Sequence, residues 1–127
     1  MAYILVVDDD KNLAKMYEQE LADSGYDVGI RYSGVEALDA ISKRRPDLVV
    51  LDIAMPGMDG IEALSKILGK DKTIPVILNT AYATYKDNFM TWSADAYVVK
   101  SGDIGPLKAK IAELLSVSKK KADDAKN

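Results

Sequence analysis

The sequence predicts an α/β fold, a doubly wound five-stranded parallel sheet with helices on both faces, and three observations support it. Five short apolar runs alternate with stretches of helical periodicity along the 127 residues. Three of those runs, at Ile4 to Val7, Leu48 to Leu51 and Val76 to Leu78, are continuously apolar and rich in branched side chains. Such runs suit strands buried on both faces of a parallel sheet. Most of the runs are followed by polar or charged residues, and in doubly wound sheets ligands bind outside the carboxyl ends of the strands.

Taken in order, the strands are expected at Tyr3 to Val7, Asp27 to Tyr32, Leu48 to Leu51, Ile74 to Leu78 and Ala96 to Val99. The second is the least apolar and reads as an edge. Leu13, Tyr17 and Leu21 recur every fourth residue and place a helix between the first two strands. Ser33 and Glu36 have the spacing of a capping box, and the helix they open should end near Arg45, because Pro46 disfavours helical geometry before it. Asp59 is a candidate N-cap for a helix with the stripe Ile61, Leu64 and Leu68. Thr84 to Ser93 has weaker periodicity and is assigned as a helix. Ile104, Leu107, Ile111 and Leu114 form the last stripe, with Pro106 tolerated near its start. One domain over residues 1–118 is expected, followed by a solvated, frayed, lysine-rich tail over 119–127.

Composition narrows the chemistry. A hydrophobic fraction of 48% with 29% charged residues is that of a globular domain. The net charge of −3 argues against direct nucleic-acid binding, and no apolar run has the length of a membrane span, so no membrane contact is expected and the cytoplasm is the default location. The chain has no cysteine and no histidine. Thiol and imidazole nucleophiles, Ser-His-Asp catalysis and zinc held by cysteine or histidine are therefore excluded. Acid-base or metal chemistry has to be built from carboxylates, hydroxyls, lysines and backbone, which favours a hard, oxygen-held cation.

The polar residues at the strand ends meet that requirement. Asp8, Asp9 and Asp10 follow the first strand, Asp52 the third, Asn79 and Thr80 the fourth, and Lys100 the fifth. Converging carboxylates repel one another unless a cation and a basic side chain offset them. Magnesium suits a few carboxylates and water. A carboxylate can also attack phosphorus, while Lys100 and the Thr80 hydroxyl hold phosphoryl oxygens. Taken singly, each residue has a plainer role: Asp10 a helix cap, Thr80 a turn hydroxyl, Lys100 a solvated charge, Tyr97 a strand aromatic. Their ordered combination is what points to a site.

From Tyr3 to Leu115 the chain resembles the receiver domain of bacterial two-component response regulators. The resemblance rests on Ile4-Leu5-Val6-Val7-Asp8-Asp9-Asp10, on Pro46 to Gly60 around Leu51-Asp52-Ile53-Ala54-Met55-Pro56, on Pro75 to Ala81, and on Asp95-Ala96-Tyr97-Val98-Val99-Lys100. It implies a flavodoxin-like (βα)5 fold with strand order 2-1-3-4-5. It implies Asp52 as phosphoacceptor, with magnesium on Asp9, Asp52 and the Ala54 backbone carbonyl, and on Asp8 through water; manganese could substitute. Thr80 and Lys100 would hold the phosphoryl group and Tyr97 would be the aromatic switch. The implied donor is a histidine kinase or a histidine phosphotransfer protein. The implied output is a changed surface over about residues 84–115, serving an unidentified target or an output domain, as a monomer or a phosphorylation-dependent dimer.

Two positions depart from the pattern. Ser101 stands where the family commonly has a proline after the lysine, so Lys100–Ser101 is either trans with a rearranged loop or cis without proline. Ala54 and Tyr82 flank the expected phosphoryl position; Tyr82 could shield it while Ala54 leaves it open. Competing functions are weaker. An aspartyl-phosphate phosphatase needs a second acid two residues after the nucleophile, and Ala54 is there instead. A phosphorylation-independent binding module would be expected to lack some of the acids or the lysine. A flavodoxin-like cofactor carrier would need a phosphate-cradling loop after the first strand, where Asp8-Asp9-Asp10 would repel the cofactor phosphate.

Overall fold

The alternation of apolar runs and amphipathic stretches folds into a sheet with helices on both sides. The computed structural model describes residues 1–82 and 93–125, with side chains described as far as residue 118. In chain order the elements are β1 (Tyr3–Val7), α1 (Lys11–Asp23), β2 (Asp27–Arg31), α2 (Gly34–Lys43), β3 (Leu48–Leu51), α3 (Gly60–Lys70), β4 (Val76–Thr80), β5 (Ala96–Val99) and α4 (Gly105–Ala125). All strand pairs are parallel and the order is β2-β1-β3-β4-β5, the flavodoxin-like arrangement. The helix expected over Thr84 to Ser93 lies outside the described residues except for Ser93 itself.

Side-chain alternation divides the core into two layers. Leu5, Val7, Val49, Leu51, Val76 and Leu78 face α2 and α3, where Ala37, Ile41, Ala63, Leu64 and Ile67 meet them. Ile4, Val6, Leu48, Val50 and Ile77 face α1 and α4 and pack on Tyr17, Leu21, Leu107 and Ile111. Burying a large aliphatic side chain is worth about 1.5–3 kcal/mol, so these two layers dominate the stability of the fold.

The helix starts are capped from the sequence. Asp10 accepts a hydrogen bond from the Leu13 amide at 3.1 Å, and Asp59 accepts one from the Glu62 amide at 2.9 Å. Ser33 accepts from the Glu36 amide at 3.2 Å, while its hydroxyl donates to the Glu36 carboxylate, a variant of the expected box.

Several boundaries differ from the sequence expectation. The fourth strand runs from Val76 to Thr80, so Asn79 and Thr80 lie inside the ladder and pair with Val98 and Val99. Pro75 has no N–H to give, which moves the strand start beyond the buried Ile74. The second strand stops at Arg31, one residue short of Tyr32. In α3 the deepest residues are Ala63, Leu64 and Ile67, while Ile61 and Leu68 flank them half-buried. The small Ala63 carries no strong signal in an aliphatic stripe, so the face reads one position off. Helix α4 continues to Ala125, so the backbone is helical through most of the segment expected to be frayed. Extending an established helix through lysine and alanine needs no new nucleation.

Candidate functional site

Three residues carry the ladder one step beyond their strands. The Asp8 amide donates to the Arg31 carbonyl at 3.1 Å, the Asp52 amide to the Val7 carbonyl at 3.0 Å, and the Lys100 amide to the Thr80 carbonyl at 2.7 Å. The strand alternation therefore extends through them, and Asp8, Asp52 and Lys100 all project toward the α1/α4 side of the sheet. The sequence order of the runs thus becomes a single rim.

On that rim the Lys100 Nζ lies 2.7 Å from Asp8 Oδ2 and 3.2 Å from Asp52 Oδ2. Asp8 and Asp52 are only 2% and 5% exposed, whereas Asp9 is exposed. Ligand oxygens of Asp8, Asp9 and Asp52 all lie within 4.8 Å of one another. Burial pushes the Asp52 carboxyl above its ordinary range; Lys100 opposes that shift and Asp8 adds to it. Burial works against the Lys100 ammonium, but its hydrogen bond to Asp8 and the charges of Asp52 and Asp8 outweigh it and raise its pKa.

The remaining candidates stand around this core. Asp8 Oδ1 accepts the Asp10 amide at 2.9 Å, so Asp10 serves as cap and as a tie to Asp8. Ala54 is exposed beside Asp52, and its amide donates to Asp52 Oδ1 at 3.3 Å. Thr80 is fully buried, and among the described residues its hydroxyl oxygen has no hydrogen-bond partner. An orphaned buried hydroxyl is costly and invites a ligand acceptor. Tyr97 is half-buried against the α2/α3 layer, and its hydroxyl donates to the Tyr82 carbonyl. No peptide bond among the described residues is cis, so Lys100–Ser101 is trans. The Ser101 hydroxyl donates to the Asp103 carbonyl, and Asp103 in turn accepts the Gly105 amide at 2.8 Å, leading into α4.

Two residues already visible at the strand ends and in the loop take roles that sequence reasoning did not give them. A Cβ on Gly60 would collide with the backbone of Asp52 and Ile53, so this glycine lets the start of α3 pack directly against the end of β3 at Asp52. The Gly60 amide donates to the Ile53 carbonyl at 2.8 Å. The Gly60 within Met58-Asp59-Gly60 was visible, but only the tertiary approach reveals its purpose. The second is Asn79, whose Nδ2 donates to the Tyr17 hydroxyl at 2.9 Å inside the α1/α4 layer.

Oxygen donors alone, three acids on one rim and a buried unpartnered hydroxyl fit a hard divalent cation beside an oxyanion. Residues 4–112 match the response regulator receiver domain, and the chain belongs to that family, the receiver domains of two-component signalling. Curated relatives include an uncharacterized transcriptional regulatory protein, YkoG, of Bacillus subtilis, 36% identical over 96% of this chain and 54% of its own length. The response regulator ArlR of Staphylococcus aureus is 37% identical over 91% of this chain and 53% of its own. The chain thus spans about half the length of these relatives. Among solved structures, the response regulator TrrA of Thermotoga maritima in complex with Mg2+-BeF has a TM-score of 0.87 at 42% identity, covering 90% of this chain and 99% of that one. TrrA in complex with the histidine kinase ThkA has a TM-score of 0.86 at 43% identity, covering 91% and 99%. A CheY-like receiver domain protein of Methanospirillum hungatei reaches 0.90 at 32% identity, covering 95% and 98%. Among the described residues no helix is long and apolar enough to cross a membrane.

Proposed function

We propose that Asp52 is the phosphoacceptor of this receiver and takes a phosphoryl group from a phosphohistidine of a histidine kinase or a phosphotransfer protein. A carboxylate oxygen of Asp52 forms the new O–P bond as the donor N–P bond breaks and the imidazole leaves. The convergence of Asp52, Asp8 and the Lys100 ammonium within hydrogen-bond reach carries this reading. Lys100 would hold a phosphoryl oxygen, and the Thr80 hydroxyl, which has no partner among the described residues, would donate to another. Asp9 and Asp52, with Asp8 through water and the Ala54 carbonyl, would hold magnesium, with manganese as a substitute. Such a cation supplies positive charge against the acids and the transferring oxygens.

Tyr97 is the proposed switch, with its hydroxyl bond to the Tyr82 carbonyl as the contact to be exchanged on phosphorylation. The changed surface is proposed to fall within residues 84–115, only part of which is described, and to serve a protein target or an output domain as a monomer or a phosphorylation-dependent dimer. The receiver is proposed to occupy residues 1–118 and to work in the cytoplasm, its only catalysis being its own phosphorylation and dephosphorylation.

Incubation with acetyl phosphate, with and without magnesium, followed by intact-mass measurement, tests the reading. The expected result is a magnesium-dependent gain of one phosphoryl group that Asp52→Asn abolishes. Folded protein that gains none, or an Asp52→Asn variant that still gains one, would overturn it.

A further inference from the structure

Asn79 has no part in the reaction just described, yet it sits next to it. It is an amide at the end of the apolar run Val76-Ile77-Leu78, only 2% exposed. Left without a partner, such a buried group costs about 1–3 kcal/mol. Its partner is Tyr17, 62 residues away on α1 and itself 4% exposed, at 2.9 Å. An apolar pair of the same shape would fill this core at similar stability, so the hydrogen bond adds direction more than strength.

The sheet register says what it directs. Val7 pairs with Leu51, and Leu51 with Leu78. One step further along, Asp8, Asp52 and Asn79 form a row across β1, β3 and β4, all on the α1/α4 face. Adjacent parallel strands lie about 4.8 Å apart, so Asn79 neighbours Asp52 on one side as Asp8 does on the other. Tyr17 lies within the field of the same site. Burial raises its phenol pKa, the Asn79 hydrogen bond and Lys100 lower it, and Asp8 and Asp52 raise it.

We infer that the Tyr17–Asn79 hydrogen bond is a positioning device for phosphorylation of Asp52, fixing a neutral amide on the β4 flank of the acceptor. This rests on Asp52 being the phosphoacceptor. An acid at that position would add repulsion, and an apolar side chain would deepen the desolvation of Asp52. An amide held in one orientation does neither, and it tolerates Asp52 both as an anion and as its acyl phosphate. Thr80 follows Asn79 in the chain, so anchoring Asn79 also steadies the strand end that carries the hydroxyl.

The test compares the parent with Tyr17→Phe, Asn79→Leu and the double variant. Phosphoryl gain is measured by intact mass at saturating magnesium over a range of acetyl phosphate concentrations, beside magnesium affinity by calorimetry and urea unfolding. Tyr17→Phe is expected to lower the maximal rate about three- to tenfold. Magnesium affinity and the half-saturating donor concentration should stay within about twofold of the parent, since neither residue is a proposed ligand. The double variant leaves no polar orphan; it should regain the parental urea midpoint yet stay slow, and it carries the test should a single variant fail to fold. A Tyr17→Phe variant at the parental rate, or a double variant that regains rate together with stability, would show the pair to be packing alone. A parent that takes up no phosphoryl group would instead sink the assignment of Asp52, and the pair with it.

Discussion

At the carboxyl end of the sheet, Lys100 lies 2.7 Å from Asp8, with side chains 16% and 3% exposed. At the opposite end, Arg45 lies 2.8 Å from Asp71, with side chains 47% and 31% exposed. The distances are alike and the circumstances are not. Around Asp71 the Thr73 hydroxyl and the Arg45 guanidinium supply donors, and together they hold its carboxyl down to about 2. On the rim, one ammonium faces the two buried acids while Asp9 stands close by, and burial leaves the Asp52 carboxyl raised. The exposed network is complete in itself, whereas the buried one is short of positive charge. Equal geometry therefore says little about stability, and the burial and charge count around a pair say where a ligand is wanted.

Substitutions at the two ends should separate these roles. Asp52→Asn is expected to abolish phosphoryl gain altogether while raising the urea midpoint in the presence of a chelator. Because the folded carboxyl titrates above the ordinary 3.8, ionised Asp52 opposes folding. The stabilisation by asparagine should thus grow as the pH rises from 3.8 through the raised folded value, and vanish once the pH falls below 3.8, where folded and unfolded chains both bind the proton. An Asn variant less stable than the parent at pH 7 in chelator would break the contrast.

Lys100→Met leaves Asp8 and Asp52 facing each other without their countercharge. A loss of about 2–4 kcal/mol is expected in chelator, somewhat below a fully buried pair, with part of it recovered by magnesium. Urea unfolding with and without the cation measures both. Gly60→Ala forces a methyl into the Asp52–Ile53 backbone and should cost about 1–3 kcal/mol while slowing phosphoryl gain. Equal stability and rate would mean the helix start has room to move.

At the far end, Asp71→Asn should cost under about 1 kcal/mol at pH 7, since the pair is screened by solvent. Its carboxyl is depressed in the folded state, so the contribution is present above 3.8 and is lost as the pH falls through about 2. A loss comparable to that of Lys100→Met would erase the distinction between the two ends.

Much of this arrangement was legible in the sequence because it depends on local pattern. Tyr3 to Val7, Leu48 to Leu51 and Ala96 to Val99 were placed to the residue, since each apolar run ends at a charged side chain, Asp8, Asp52 or Lys100. The caps at Asp10, Ser33 and Asp59 were equally readable from side-chain type and spacing. The convergence of Asp8, Asp9, Asp52 and Lys100 followed from strand ends and topology. What escaped was tertiary. That Asp8 would be buried against Lys100 while its neighbour Asp9 stays exposed depends on which face each projects from. The Tyr17–Asn79 bond joins a residue read as part of a helix stripe to one read only as a polar strand end, and neither position announces the other. The close approach at Gly60 depends on where α3 enters, which no spacing encodes.

β4 is gripped at both ends by its neighbour on the outer side. The Val76 amide donates to the Asp95 carboxylate at 2.8 Å, the Asp95 amide returns to the Val76 carbonyl at 2.9 Å, and the Lys100 amide closes on the Thr80 carbonyl at 2.7 Å. Asn79 and Thr80 project from opposite faces, so a slip by a single residue would exchange amide for hydroxyl. Insertions and deletions in this strand should therefore behave as frame errors. They would rewrite the chemistry beside Asp52 wholesale, where the same lesion in a surface loop would only lengthen or shorten it.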